Sequence, residues 1–117
     1  MNKIILIIED DPTIRSILTR MLAKHNTVTA VANGRDAIAV LQQIAFDAVL
    51  SDYDLKDLVT GEDILVWIRN NQPELAEKFI FHSSTPEAQD LNVPCLVKPS
   101  SHRVICQTIA DLPRTVC

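Results

Sequence analysis

Cysteine is scarce, long apolar runs are missing, and basic residues are outnumbered. Each shortage narrows the function. The three cysteines, Cys95, Cys106 and Cys117, are an odd number with no C-x-x-C pair. A disulfide-built scaffold is therefore excluded, and the thiols read as reduced. Cys95 falls in a strand-like stretch, so no single helical face holds all three. No apolar run approaches the roughly 20 residues that cross a bilayer. The opening "MNKIILIIEDD" has one lysine and a short apolar run but no small-residue cleavage site, so it does not read as a signal peptide. Fifteen acidic against eleven basic residues give a formal charge of −4. That removes any general attraction to nucleic acid or anionic lipid. There is no repeat, low-complexity segment or linker, and no clustered Cys/His set for zinc.

What remains is an ordinary globular balance, with 47% apolar and 22% charged residues. A chain of 117 residues reads as one domain, 1–117, with a core that needs neither metal nor disulfide. "KIILII" (3–8) is a continuous apolar run suited to a strand buried on both faces. Asp11-Pro12 supplies an N-cap and a first-turn proline. Ile14, Ile17, Leu18, Met21 and Leu22 then form one helical stripe. "NTVTAV" (26–31) reads as a strand, and 33–43 as a helix carrying Ala37, Val40 and Leu41 inward. "FDAVLSD" (46–52) is the third strand. The helix at 62–71 turns Ile64, Leu65 and Ile68 inward, with Trp67 partly buried. "KFIFHSS" (78–84) and "CLVK" (95–98) are further strands. The last helix, 101–112, has Val104, Ile105, Thr108, Ile109 and Leu112 on one side. Regular strand–helix alternation predicts an α/β fold, a parallel sheet with helices on both faces.

In such a sheet, ligands bind outside the carboxyl ends of the strands. The first strand ends at Glu9 and Asp10, the third at Asp52, the fourth at Ser83 and the fifth at Lys98. Carboxylates crowded beside an apolar interior repel one another, and a shared cation relieves the repulsion. An all-oxygen donor set points to Mg2+. Lys98 adds a positive charge and Ser83 a hydroxyl. A carboxylate nucleophile, a divalent ion, a lysine and a hydroxyl are the parts needed to accept a phosphoryl group. Singly, each has a plainer reading: a solvated acidic loop, a turn aspartate, or an N-cap such as the Ser84/Glu87 capping box. The specificity lies in all four occurring at successive strand ends.

The stretches "ILIIEDDPTIR", "FDAVLSDYDL", "FIFHSS" and "CLVKP" resemble the receiver domain of two-component response regulators, and the likeness spans nearly the whole chain. The resemblance implies a flavodoxin-like three-layer sandwich whose five-stranded parallel sheet has the order 2-1-3-4-5. It implies that Asp52 takes a phosphoryl group from a phosphohistidine on a histidine kinase or histidine phosphotransfer protein. Mg2+ would be held by Asp10, by Glu9 directly or through water, by Asp52 and by the backbone carbonyl of Asp54. Ser83 would bond the phosphoryl oxygen, and Lys98 would pair with the carboxylate or phosphoryl group. Asp11 would cap the helix. The implied protein is a cytoplasmic signalling switch rather than an enzyme, stand-alone or part of a larger regulator or hybrid kinase. Neither nucleic acid nor membrane is an implied partner, and the oligomeric state stays open.

Three features depart from that family. The loop from Asp52 to Gly61 carries Lys56 where proline is common. The segment between Ser83 and Lys98 is short and holds Pro86 and Pro94, so a truncated or missing fourth helix is expected. Cys95 stands where the family often has an aromatic switch residue, which points to a divergent output surface. His82 reads as a core or edge histidine satisfied by the backbone, the alternative being that it tunes phosphoryl lifetime or pH response. Two other functions remain open: a pseudo-receiver that signals without phosphorylation, and a small Mg2+-dependent phosphohydrolase.

Overall fold

Strand β1 (Ile4–Ile8) is an inner strand of the sheet, hydrogen-bonded on both sides. The computed structural model describes residues 2–53, 55, 58–83, 95–98 and 102–112. Beyond β1 come α1 (Pro12–Leu22), β2 (Thr27–Val31), α2 (Gly34–Leu41), β3 (Ala48–Asp52) and α3 (Gly61–Asn71). They are followed by the single turn α4 (Pro73–Ala76), then β4 (Phe79–Ser83), β5 (Cys95–Val97) and α5 (His102–Ala110). All strand pairs are parallel, in the order β2-β1-β3-β4-β5.

The apolar runs are continuous because both faces of the sheet are covered. Alternate side chains feed two separate cores. Leu6, Ile8, Val49, Phe79 and Phe81 pack against Ala37 and Leu41 of α2 and Ile64, Leu65 and Ile68 of α3. Ile5, Ile7, Ala48, Leu50 and Ile80 pack on the opposite face against Leu18, Met21 and Leu22 of α1 and Ile105 and Ile109 of α5. The three layers thus follow from a period-2 pattern in the strands and a 3.6-residue pattern in the helices. Lys3 Nζ donates to Ile109 O at 2.8 Å, tying the start of β1 to the end of α5.

Two side chains expected in the core are exposed: Ile17 at 53% and Val104 at 47%. At 100° per residue, each lies about 90–120° from the centre of its helix's buried residues. The apolar stripes are therefore wider than the faces the sheet can cover. The turn α4 was not expected; Pro73 at its first position and the buried Leu75 explain it. α3 starts at Gly61 behind a capping box in which Thr60 and Asp63 bond each other's backbone N–H. The expected Ser84/Glu87 box, Lys56 and the truncated fourth helix lie outside the described residues.

Candidate functional site

The three acids that follow β1 have three different environments. Asp11 is the N-cap of α1, its Oδ1 accepting from Thr13 N at 2.8 Å and Ile14 N at 3.1 Å. Glu9 is buried, with 1% exposure. Its backbone stays in the sheet, the N–H donating to Val31 O at 3.1 Å. Its Oε2 accepts from Asp11 N at 3.3 Å, and its carbonyl accepts from Arg15 Nη1 at 2.9 Å. Asp10, between them, is half-buried and turns its carboxylate toward Glu9 and Asp52.

Strand alternation continues the row Ile5, Ile7, Glu9 beside the row Ala48, Leu50, Asp52, so Glu9 and Asp52 emerge on the same face. One carboxylate oxygen from each of Glu9, Asp10 and Asp52 lies within 4.8 Å of the others. Lys98, just past β5, reaches back across the sheet to this cluster. Its Nζ stands 3.0 Å from Glu9 Oε1 and 3.3 Å from Asp52 Oδ1. Its backbone N–H donates to Ser83 O at 2.9 Å, which locks the end of β5 to the end of β4.

Lys98 pairs with two of the three carboxylates, Glu9 and Asp52. Burial pushes the Glu9 carboxyl up to about 7, only partly offset by the hydrogen bond from Lys98, and the Asp52 charge pushes the same way. Burial alone would lower the Lys98 ammonium, but the hydrogen bond to Glu9 and the charges of Asp52 and Glu9 outweigh it and raise its pKa. A divalent cation would lower Glu9 again. The donors are all hard oxygens, as Mg2+ requires. The three acids therefore fit a metal on both geometry and charge.

Glu9, Asp10, Asp52 and Lys98 thus lie close together, and the buried Ser83 closes the neighbouring strand end. Asp54 lies outside the described residues. Glu9 is more than a ligand candidate, since it is the nearer of the two partners of Lys98. Arg15 was missed, although a long cation one turn into α1 can fold back over the acidic loop. His82 is buried, but neither ring nitrogen has a hydrogen-bond partner among the described residues, contrary to the expected backbone satisfaction. Cys95 pairs in register with Phe81, which meets Tyr53 edge-on at 5.4 Å. Burial raises the Cys95 thiol pKa.

The profile of the response regulator receiver domain matches residues 5–110. The chain belongs to that family. Members are typically phosphorylated signalling domains rather than classical enzymes, and the receiver implies a two-component kinase as partner. Solved receivers share the fold. The response regulator TrrA of Thermotoga maritima, in complex with Mg2+–BeF, has a TM-score of 0.84 at 20% identity, over 95% of this chain and 99% of that one. Chemotaxis protein CheY4 of Vibrio cholerae has 0.84 at 22%, over 97% and 100%. Full-length FixJ of B. japonicum has 0.79 at 22%, covering 92% of this receiver but 55% of that chain. No curated protein sequence matches the receiver. Among its described residues, no helix is long and apolar enough to cross a membrane.

Proposed function

We propose that this receiver is a phosphorylation switch whose acceptor is Asp52, supplied by a phosphohistidine on a histidine kinase or histidine phosphotransfer protein. The observation that carries the reading is the ammonium of Lys98 between the carboxylates of Glu9 and Asp52, at 3.0 and 3.3 Å. A lysine beside an aspartate at a strand end orients the carboxylate for attack. An Asp52 oxygen forms the new P–O bond as the P–N bond of the phosphohistidine breaks. The departing imidazole nitrogen keeps the electron pair. Lys98 neutralises charge on the transferring oxygens, and the Ser83 hydroxyl bonds one of them afterwards. Mg2+ held by Glu9, Asp10, Asp52 and the Asp54 carbonyl would supply further neutralisation of the phosphoryl charge.

Phosphorylation adds about two negative charges to a site already rich in carboxylates. The rearrangement of Lys98 and Ser83 is the local event a partner would read. We assign residues 1–117 to a single receiver acting in the cytoplasm, alone or within a larger regulator. The test is incubation with acetyl phosphate and Mg2+ followed by intact mass. Wild type gains one phosphoryl group and Asp52→Asn gains none. A wild type that stays unmodified would support a pseudo-receiver, and steady phosphoester turnover would support a hydrolase.

A further inference from the structure

His82 is buried at 5% exposure, yet the reading above gives it no task. Both imidazole nitrogens lack a hydrogen-bond partner among the described residues. A buried ring left unpaired is less favourable than an apolar side chain of similar shape, so its presence calls for a use in another state.

The register supplies one. His82 pairs with Asp52 on one side and Leu96 on the other. Parallel neighbours share a face, so the imidazole stands beside the Asp52 side chain. Lys98 lies two residues past Leu96, at the far side of β4 from Asp52. Strands are about 4.8 Å apart, so a path from β5 to Glu9 on β1 crosses the ends of two strands. The Lys98 stem therefore passes over the end of β4, where His82 lies. Lys98 carries three N–H donors, and two are directed at Glu9 and Asp52. A neutral imidazole keeps a lone pair on one of its two ring nitrogens.

We propose that His82 is a positioning residue for Lys98, its ring nitrogen accepting a hydrogen bond from the ammonium when Lys98 turns from the carboxylates toward a phosphoryl group on Asp52. This rests on Asp52 being the acceptor. The ring then fixes the ammonium over the transferring oxygens, and the group left unpaired in the resting state is satisfied in the reacting one.

The experiment compares wild type, His82→Leu, His82→Asn, Lys98→Ala and the double variant His82→Leu/Lys98→Ala. It reads thermal midpoint and the rate of phosphorylation by acetyl phosphate with Mg2+. His82→Leu should hold or raise the midpoint while slowing phosphorylation about tenfold, the worth of one hydrogen bond to a charged group. His82→Asn, which restores an acceptor, should recover to within about threefold of wild type. In the Lys98→Ala background, His82→Leu should change the rate by less than about twofold, because coupled residues are not additive. A lowered midpoint in His82→Leu, an unchanged rate, equal slowing in both backgrounds, or no recovery in His82→Asn would each overturn the proposal. Wild type that accepts no phosphoryl group would instead remove the acceptor reading on which it depends.

Discussion

Without metal, two buried groups should pull the pH dependence of stability in opposite directions. Glu9 moves from 4.5 up to about 7 on folding, and His82 from 6.5 down to about 4. Between pH 4.5 and 7 the folded state holds a proton on Glu9 that the unfolded chain has released, so this group makes stability fall as pH rises. Between pH 4 and 6.5 the unfolded chain protonates His82 and the folded state does not, so this group makes stability rise. At about 1.4 kcal/mol per pH unit, each contribution spans about 3 kcal/mol as an upper limit. The two nearly cancel in wild type across the shared window. Glu9→Gln should expose the histidine term, gaining about 2–3 kcal/mol between pH 4.5 and 6.5 relative to wild type. His82→Leu should expose the glutamate term and lose a similar amount between pH 4.5 and 7. Urea titrations in EDTA, followed by fluorescence of the half-buried Trp67, measure all three curves. Parallel curves would refute the reasoning, because they would mean that neither group titrates differently in the folded state.

Lys98→Met should slow phosphorylation about a hundredfold in a stopped-time mass assay. The same change should tighten Mg2+ in a fluorescence titration, since a competing cation has gone. Gly61→Ala should lose about 2 kcal/mol in urea denaturation, because a Cβ there would sit 2.5 Å from Asp52 O and 3.0 Å from Phe81 Cε1. Ile64→Ala should lose about 3 kcal/mol, whereas Ile17→Ala, exposed on α1, should change stability by less than about 0.5 kcal/mol. Asp11→Ala should lower stability by about 1 kcal/mol through the helix cap.

The strands and helices were legible because buried parallel strands force apolar runs, and half-covered helices force stripes. Strand pairing across the sheet is not local, so the order of the strands came from family resemblance, while the parallel register of Ile5 with Ala48 came only from coordinates. Ile17 and Val104 show where a pattern overshoots: apolar character sets which side chains can be buried, and the area of the sheet sets which are. The acids and Lys98 were readable as a group because each ends a strand. The pairing of Lys98 with Asp52 came from the resemblance, but its shorter contact to Glu9 did not, because that depends on how far a flexible lysine reaches across β4. The unpaired state of His82 was hidden for a similar reason, since residue type says nothing about whether a neighbouring backbone is already committed to the sheet.

The most direct measurement is chemical trapping of the phosphorylated receiver. Protein loaded by a phosphohistidine donor in Mg2+ is reduced with borohydride, which converts an aspartyl phosphate to homoserine, and then mapped by peptide mass. Homoserine is expected at position 52 alone, and is lost when EDTA is present during loading. Label at another residue, or phosphorylation unaffected by Asp52→Asn, would contradict Asp52 as the acceptor.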